Sequence, residues 1–138
     1  MNELTLEDQL VADLVSHFRA YPPAAIAIRD FRATGERPLP CVIIGHEGCE
    51  YEKGKGMSGT GRVALRLAVV SDLDATDPTH HRTHTAAIDL AVRELSPQTL
   101  ALTYVHVVYQ EAPANEIDDR RQTTVLGYTV IATRCNKS

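Results

Sequence analysis

Large apolar side chains alternate with small or charged ones from Arg62 to Val69, within the stretch RVALRLAVVSD that ends at Asp72. Successive side chains of a β-strand point to opposite faces, so Val63, Leu65, Leu67 and Val69 share one face. Arg62, Ala64, Arg66 and Ala68 share the other. This predicts a strand with one face in the core and the other turned to water or to a partner. A slip of one residue would expose all four large apolar side chains, so the register is strongly set. We read it as the central strand of an antiparallel sheet.

The flanking pattern predicts a first helix from Thr5, whose hydroxyl suits an N-cap, with Glu7 and Asp8 near the positive helix end. Leu10, Val11, Leu14, Phe18 and Tyr21 form its apolar stripe, and Pro22-Pro23 stop it. Ile26 and Ile28 alternate as in a short strand, with a turn at Thr34–Arg37. Leu39 to Ile44 reads as a strand apolar on both faces, resuming through Cys49 to Glu52 after an interruption at Gly45. Residues 53–61, with Gly54, Gly56, Gly59 and Gly61, are expected to form a long, flexible hairpin tip. Asp77-Pro78 predicts an N-cap and first turn for a second helix running to Leu95. Its buried side is His84, Ile88, Ala91, Val92 and Leu95, with Asp89 and Arg93 paired on the exposed side. Strands follow at Thr103–Tyr109 and Thr123–Thr133, joined by a polar connector at 110–121. The expected order is α-β-β-α-β-β in one domain over 1–138. The fold class is α+β, an antiparallel sheet with two helices packed on one face.

Charge changes the picture mainly by exclusion. With 14 Lys and Arg against 18 Asp and Glu, the net charge is −4, so no global basic field grips nucleic acid. No apolar run is long enough to span a membrane, and the acidic opening residues do not resemble a signal peptide. Cys41, Cys49 and Cys135 are odd in number and lack a CxxC spacing, so they read as thiols in a reducing compartment.

The candidate chemistry is sparse. His80 and His84 lie four apart and would project from one side of a helix, as zinc ligands do, but a third ligand is not evident. His84 also falls on the apolar stripe, where a half-buried structural histidine is the plainer reading. Cys41, His46 and Cys49 form a weak metal pattern. The glycine-rich tip precedes a strand and lacks Gly-Lys-Ser/Thr, so it is not a P-loop. In Asp118-Asp119-Arg120-Arg121 the basic neighbours hold both acids ionised, which suits a subunit boundary or a solvated loop and not acid–base catalysis. No nucleophile-elbow pattern is present.

Taken in order, these features resemble the bacteriophage tail terminator (tail-completion) family. The matching parts are the short acidic opening helix, the strand Pro40-Cys41-Val42-Ile43-Ile44 and a long loop into an R-x-A-L-x-L-x-V strand. A polar break ending in Asp77-Pro78 then precedes the second helix. A charged Asp-Asp-Arg-Arg connector leads into Leu126-Gly127-Tyr128-Thr129-Val130-Ile131. The resemblance implies a virion structural protein of the tail-neck region, assembled in the host cytoplasm, with no enzymatic activity, cofactor or membrane association. It implies a homo-oligomeric ring, usually a hexamer, that caps the tail tube protein, ends polymerisation and meets the head–tail connector protein. DNA would pass through the lumen without sequence-specific binding. Interface candidates are Lys53, Lys55, Arg62, Arg66, Asp118, Asp119, Arg120 and Arg121. The alternatives are a head–tail connector component and a small metal-dependent enzyme using His80 and His84.

Overall fold

The computed structural model describes residues 5–24, 26–33, 39–51, 60–72, 78–95, 104–118 and 120–133. The chain runs α1 (Leu6–Ala20), β1 (Ala27–Asp30), β2 (Cys41–Tyr51), β3 (Thr60–Asp72), α2 (Pro78–Arg93), β4 (Tyr104–Gln110), β5 (Ala114–Asp118) and β6 (Arg121–Thr133). Six strands form one sheet in the order β1-β2-β3-β6-β4, with β5 lying in line with β4 on the flank of β6. The fold is α+β, with both helices over one face, as the apolar pattern predicts.

The central strand is where the alternation puts it. β3 pairs antiparallel with β2 on one side and β6 on the other. Val63, Leu65, Leu67 and Val69 are fully buried among Leu10, Leu14 and Phe18 of α1 and Ile88 and Val92 of α2. Burying side chains of this size contributes roughly 1.5–3 kcal/mol each, which makes this layer the main source of stability.

Thr5 caps α1, its hydroxyl accepting the Asp8 N–H at 3.3 Å. Tyr21, expected on the buried stripe, is instead 73% exposed. It is the C-cap, and Pro22 after it forces its backbone out of the helical region, so its side chain swings off the core face.

Four other features depart from expectation. β1 pairs with β2 in parallel, so the sheet is mostly and not wholly antiparallel. β2 runs straight through Gly45, and its irregularity falls between His46 and Cys49, where Gly48 adopts φ 125°. Only glycine takes that conformation readily, and the one extra residue on β2 forms a bulge. The connector expected at 110–121 contains β5, which pairs residue for residue with the start of β6 from Ala114↔Val125 to Asp118↔Arg121. All five β5 residues are exposed, so it carries no apolar alternation to announce it. Arg120, with φ 64°, forms part of the tight turn that closes this hairpin. Finally, His84 is half-buried as its place on the stripe predicts, but His81, not expected on the buried side of α2, is fully buried. Of the hairpin tip expected at 53–61, Thr60 and Gly61 instead pair within β3; its residues 53–59, among them Lys53 and Lys55, the turn at Thr34–Arg37, the Asp77 cap, Asp119 and Cys135 lie outside the described residues.

Candidate assembly surface

The helix-free face of the sheet is built from the second set of β3 side chains and their neighbours. Arg66 lies at its centre. Its guanidinium reaches Glu111 at 3.0 Å and Glu47 at 3.3 Å and donates to the Leu65 carbonyl at 3.0 Å. The charge is laid flat on the sheet because the residue across from it on β6 is Gly127. A Cβ there would come within 2.9 Å of Arg66 Nη1. Arg62 is exposed on the same face, two repeats of the pleat nearer Thr60. Ala64, Ala68 and Thr129 keep the surface low around the two arginines. Phe31 folds over Gly45 at the β1 side, where a Cβ would sit 2.7 Å from the ring.

A second polar system lies under the β5–β6 hairpin. Ser71 Oγ is 2.7 Å from His81 Nδ1, and His81 Nε2 is 2.8 Å from Thr124 Oγ1. The Thr124 hydroxyl donates to Asn115 Oδ1 at 2.6 Å. With its proton committed to Asn115, Thr124 must accept from His81, which fixes the neutral Nε2–H tautomer and leaves Nδ1 to accept from Ser71. Burial, and secondarily the nearby His84, lower the His81 pKa below the ordinary imidazole value. The chain of bonds therefore ties β3, α2, β6 and β5 together. It opens into a cleft of about 360 Å³ lined by Arg82, Thr85, Asp89, Gln110, Asn115 and Gln122 among others. The Ser71–His81 pair has the spacing of a nucleophile and base, yet Ser71 is 1% exposed and does not line the cleft. Its hydroxyl is thus held in the packed interior, away from the cleft.

The two weak metal candidates, His80 and His84, stand in different surroundings. His80 is exposed, and His84 Nδ1 is buried with no hydrogen-bond partner. Among the described residues no group of three His, Cys, Asp or Glu side chains could hold a metal ion. Cys41, His46 and Cys49 are strung along β2, with the first and last eight positions apart and so on the order of 26 Å from end to end if fully extended. Both nitrogens of His46 are engaged, with Asp8 Oδ1 and the Gly48 N–H, each at 3.0 Å. Burial, followed by the Glu7 carboxylate, pushes the Cys49 thiol up to about 12.

The charged interface candidates fall at two separate places. Arg62 lies on the half of β3 next to Thr60. Asp118, Arg120 and Arg121 lie at the far end, where Arg121 sits between Asp72 and Asp118 in the pairing register. Arg66 stands between the two groups. Ser71, His81, Thr124 and Asn115 were not anticipated as a group. The sequence carries a signal for three of them: Ser71 continues the core phase of β3, Thr124 that of β6, and His81 lies seven residues before Ile88.

No family model matches the chain, and no curated protein matches it in sequence. Among solved structures, it is similar to a chain of the "Virion of native gene transfer agent (GTA) particle", with 16% identity and a TM-score of 0.63. That match covers 95% of this chain and 99% of the other. A second solved protein, without a descriptive name, shares 13% identity at a TM-score of 0.58 over 94% of each chain. Likeness at these identities establishes a common fold.

Proposed function

We propose that this chain is a non-enzymatic structural subunit of a phage-like particle, forming the ring that caps the tail tube, ends its polymerisation and joins it to the head connector. The observation that carries this reading is the shared fold with a chain of a gene transfer agent virion, matched over almost the full length of both. The order of elements that resembles tail terminators supports the finer role. A closed ring needs two different patches on each subunit, meeting in the same way all round. The charged candidates are placed suitably for that, at opposite ends of β3. In this reading the segment around Lys53 to Arg62 contacts a neighbouring subunit or the tube, and DNA passes through the lumen without sequence-specific binding. The ring is a hexamer, assembled in the host cytoplasm and located at the tail–neck junction.

Native mass measurement and negative-stain imaging of the purified protein, alone and with purified tail tubes, test this. Annular particles that cap tube ends are expected. Binding to the head connector with no affinity for tubes would reassign the chain to the neck. A protein that stays monomeric under both conditions while turning over a small molecule would overturn the reading.

A further inference from the structure

The cleft beside the Ser71–His81–Thr124 chain has two unlike ends. His81 bonds Thr124 and Asp89 bonds Tyr128, so α2 runs alongside β6 and the cleft follows both. Asn115 is level with Thr124, and Gln110 is level with Tyr128. Arg82, Asn115 and Gln122 therefore stand at one end, Asp89 and Gln110 at the other. The Asp89 end is already satisfied. Its carboxylate takes Tyr128 and Gln110 on Oδ1, each at 2.6 Å, and Arg93 on Oδ2 at 3.1 Å.

At the Arg82 end the donors are not. Among the described residues neither the Arg82 guanidinium nor the Gln122 carboxamide has a polar partner. Asn115 accepts from Thr124 through Oδ1, which leaves both hydrogens of its Nδ2 to give. Acceptors lie further along. Thr85 donates to the His81 carbonyl at 2.9 Å, so towards the cleft its oxygen accepts. Gln110 gives its nitrogen to Asp89 and keeps Oε1 as an acceptor.

We infer that the cleft receives an acidic side chain, aspartate or glutamate, carried on an extended segment of a partner protein. A guanidinium fork and two carboxamide N–H groups match a planar carboxylate, and the acceptors on Thr85 and Gln110 suit backbone N–H groups. Arg82 and Asp89 are seven residues apart on α2, 89 minus 82. That is about 10 Å along the helix axis, a span filled by about three extended residues. The volume of about 360 Å³ is at the small end of ligand pockets, which run from roughly 300 to 1,000 Å³. A short stretch of chain enters it and a folded element does not. Nucleic acid is a poorer occupant. The chain has a net charge of −4 and Asp89 lines the same cleft, which repels a polyanion more than one carboxylate on a neutral backbone. The site lies on the helix side of the sheet, away from Arg62 and Arg66, and does not depend on ring formation.

Binding of N-acetyl-Gly-Asp-Gly-amide to the full-length protein, at one ionic strength, tests this by NMR through the side-chain amide resonances of Asn115 and Gln122. Saturable shifts are expected, with N-acetyl-Gly-Asn-Gly-amide binding at least about tenfold more weakly. Arg82→Gln, at an exposed position, should erase that preference and leave the fold unchanged. A merely structural Arg82 would leave the preference intact. Equal binding of the two peptides, shifts that do not saturate, or a preference that survives Arg82→Gln overturns the inference. A stronger response to a single-stranded oligonucleotide also overturns it, in favour of nucleic acid. The same shifts on raising the protein concentration alone overturn it in favour of a second copy.

Discussion

Tyr128 donates its hydroxyl to Asp89 Oδ1 at 2.6 Å, joining the middle of β6 to the outer flank of α2. Tyr128 is fully buried, and burial together with this carboxylate drives its phenol pKa upward. Asp89 also accepts from Gln110 Nε2 at 2.6 Å and pairs with Arg93 at 3.1 Å, so one carboxylate serves β6, β4 and its own helix. The i,i+4 pair expected on the exposed side is thus present, but its acid faces inward as well.

That sharing orders two substitutions. Tyr128→Phe removes one donor from an acid that keeps two others, at a cost of about 1 kcal/mol. Asp89→Ala leaves a buried hydroxyl without its acceptor and should cost about 2–3 kcal/mol. Urea unfolding at neutral pH measures both, and the reverse order would show that Asp89 is not the hub.

Protonating His81 should weaken the fold. Its folded pKa lies below 6.5, so the unfolded chain binds the proton more readily. The contribution is fully present above about pH 6.5 and is lost as pH falls toward the folded value. Charging the ring also makes Nδ1 a donor and displaces the Ser71 proton. His84 is lowered by burial and by His80, with the same sign. Wild type should therefore lose stability between pH 7.5 and 5.5, as read by urea unfolding at the two pH values. His81→Gln should lose less over the same interval, keeping only the His84 part.

Two glycines should respond unequally to alanine. A Cβ at Gly61 would sit 2.6 Å from Cys49 Sγ and 3.2 Å from both the Glu50 carbonyl and Leu6 Cδ2, a tight core corner. Gly61→Ala should therefore cost about 1–3 kcal/mol by overpacking. At Gly127 the obstacles are the ends of Glu111 and Arg66, which can move, so Gly127→Ala should cost under about 1 kcal/mol. Thermal melts compare the two directly.

The Arg19 guanidinium donates to the outward-facing carbonyl of Ile28 on β1 at 3.2 and 3.1 Å, so removing it should uncover that border of the sheet. Arg19→Ala is expected to leave the fold intact by circular dichroism and to raise the rate of aggregation in light scattering. An unchanged rate would show that the border is protected by other means.

The sequence is easiest to read where local pattern and tertiary environment agree. β3 carries the same alternation in its residues as in its burial, and Thr5 and Pro22 mark α1 by the backbone chemistry of its ends. β5 gives no such signal, because five exposed residues held only by the flank of β6 need no apolar phase. The parallel pairing of β1 is a choice of neighbour, which four residues cannot encode. His81 was within reach, one helical repeat before Ile88, but beside His80 and His84 it reads as part of a ligand pattern. The charged candidates were recognisable as surface residues. That Arg62 and Asp118 stand at different ends of the molecule depends on the pairing of β3 with β6, which no single segment reveals.

The long middle strand also has a mechanical meaning. β3 is held along nearly its whole length by β2 on one flank and β6 on the other. Its hydrogen bonds run across the strand direction. Tension that draws Thr60 of β3 and Arg121 of β6 in opposite directions along the strands shears the ladder between them as a unit, so no bond gives way ahead of its neighbours, whereas tension across the sheet opens the bonds one by one. A subunit gripped at those two ends is a strut, stiff along one axis and easily parted along the other.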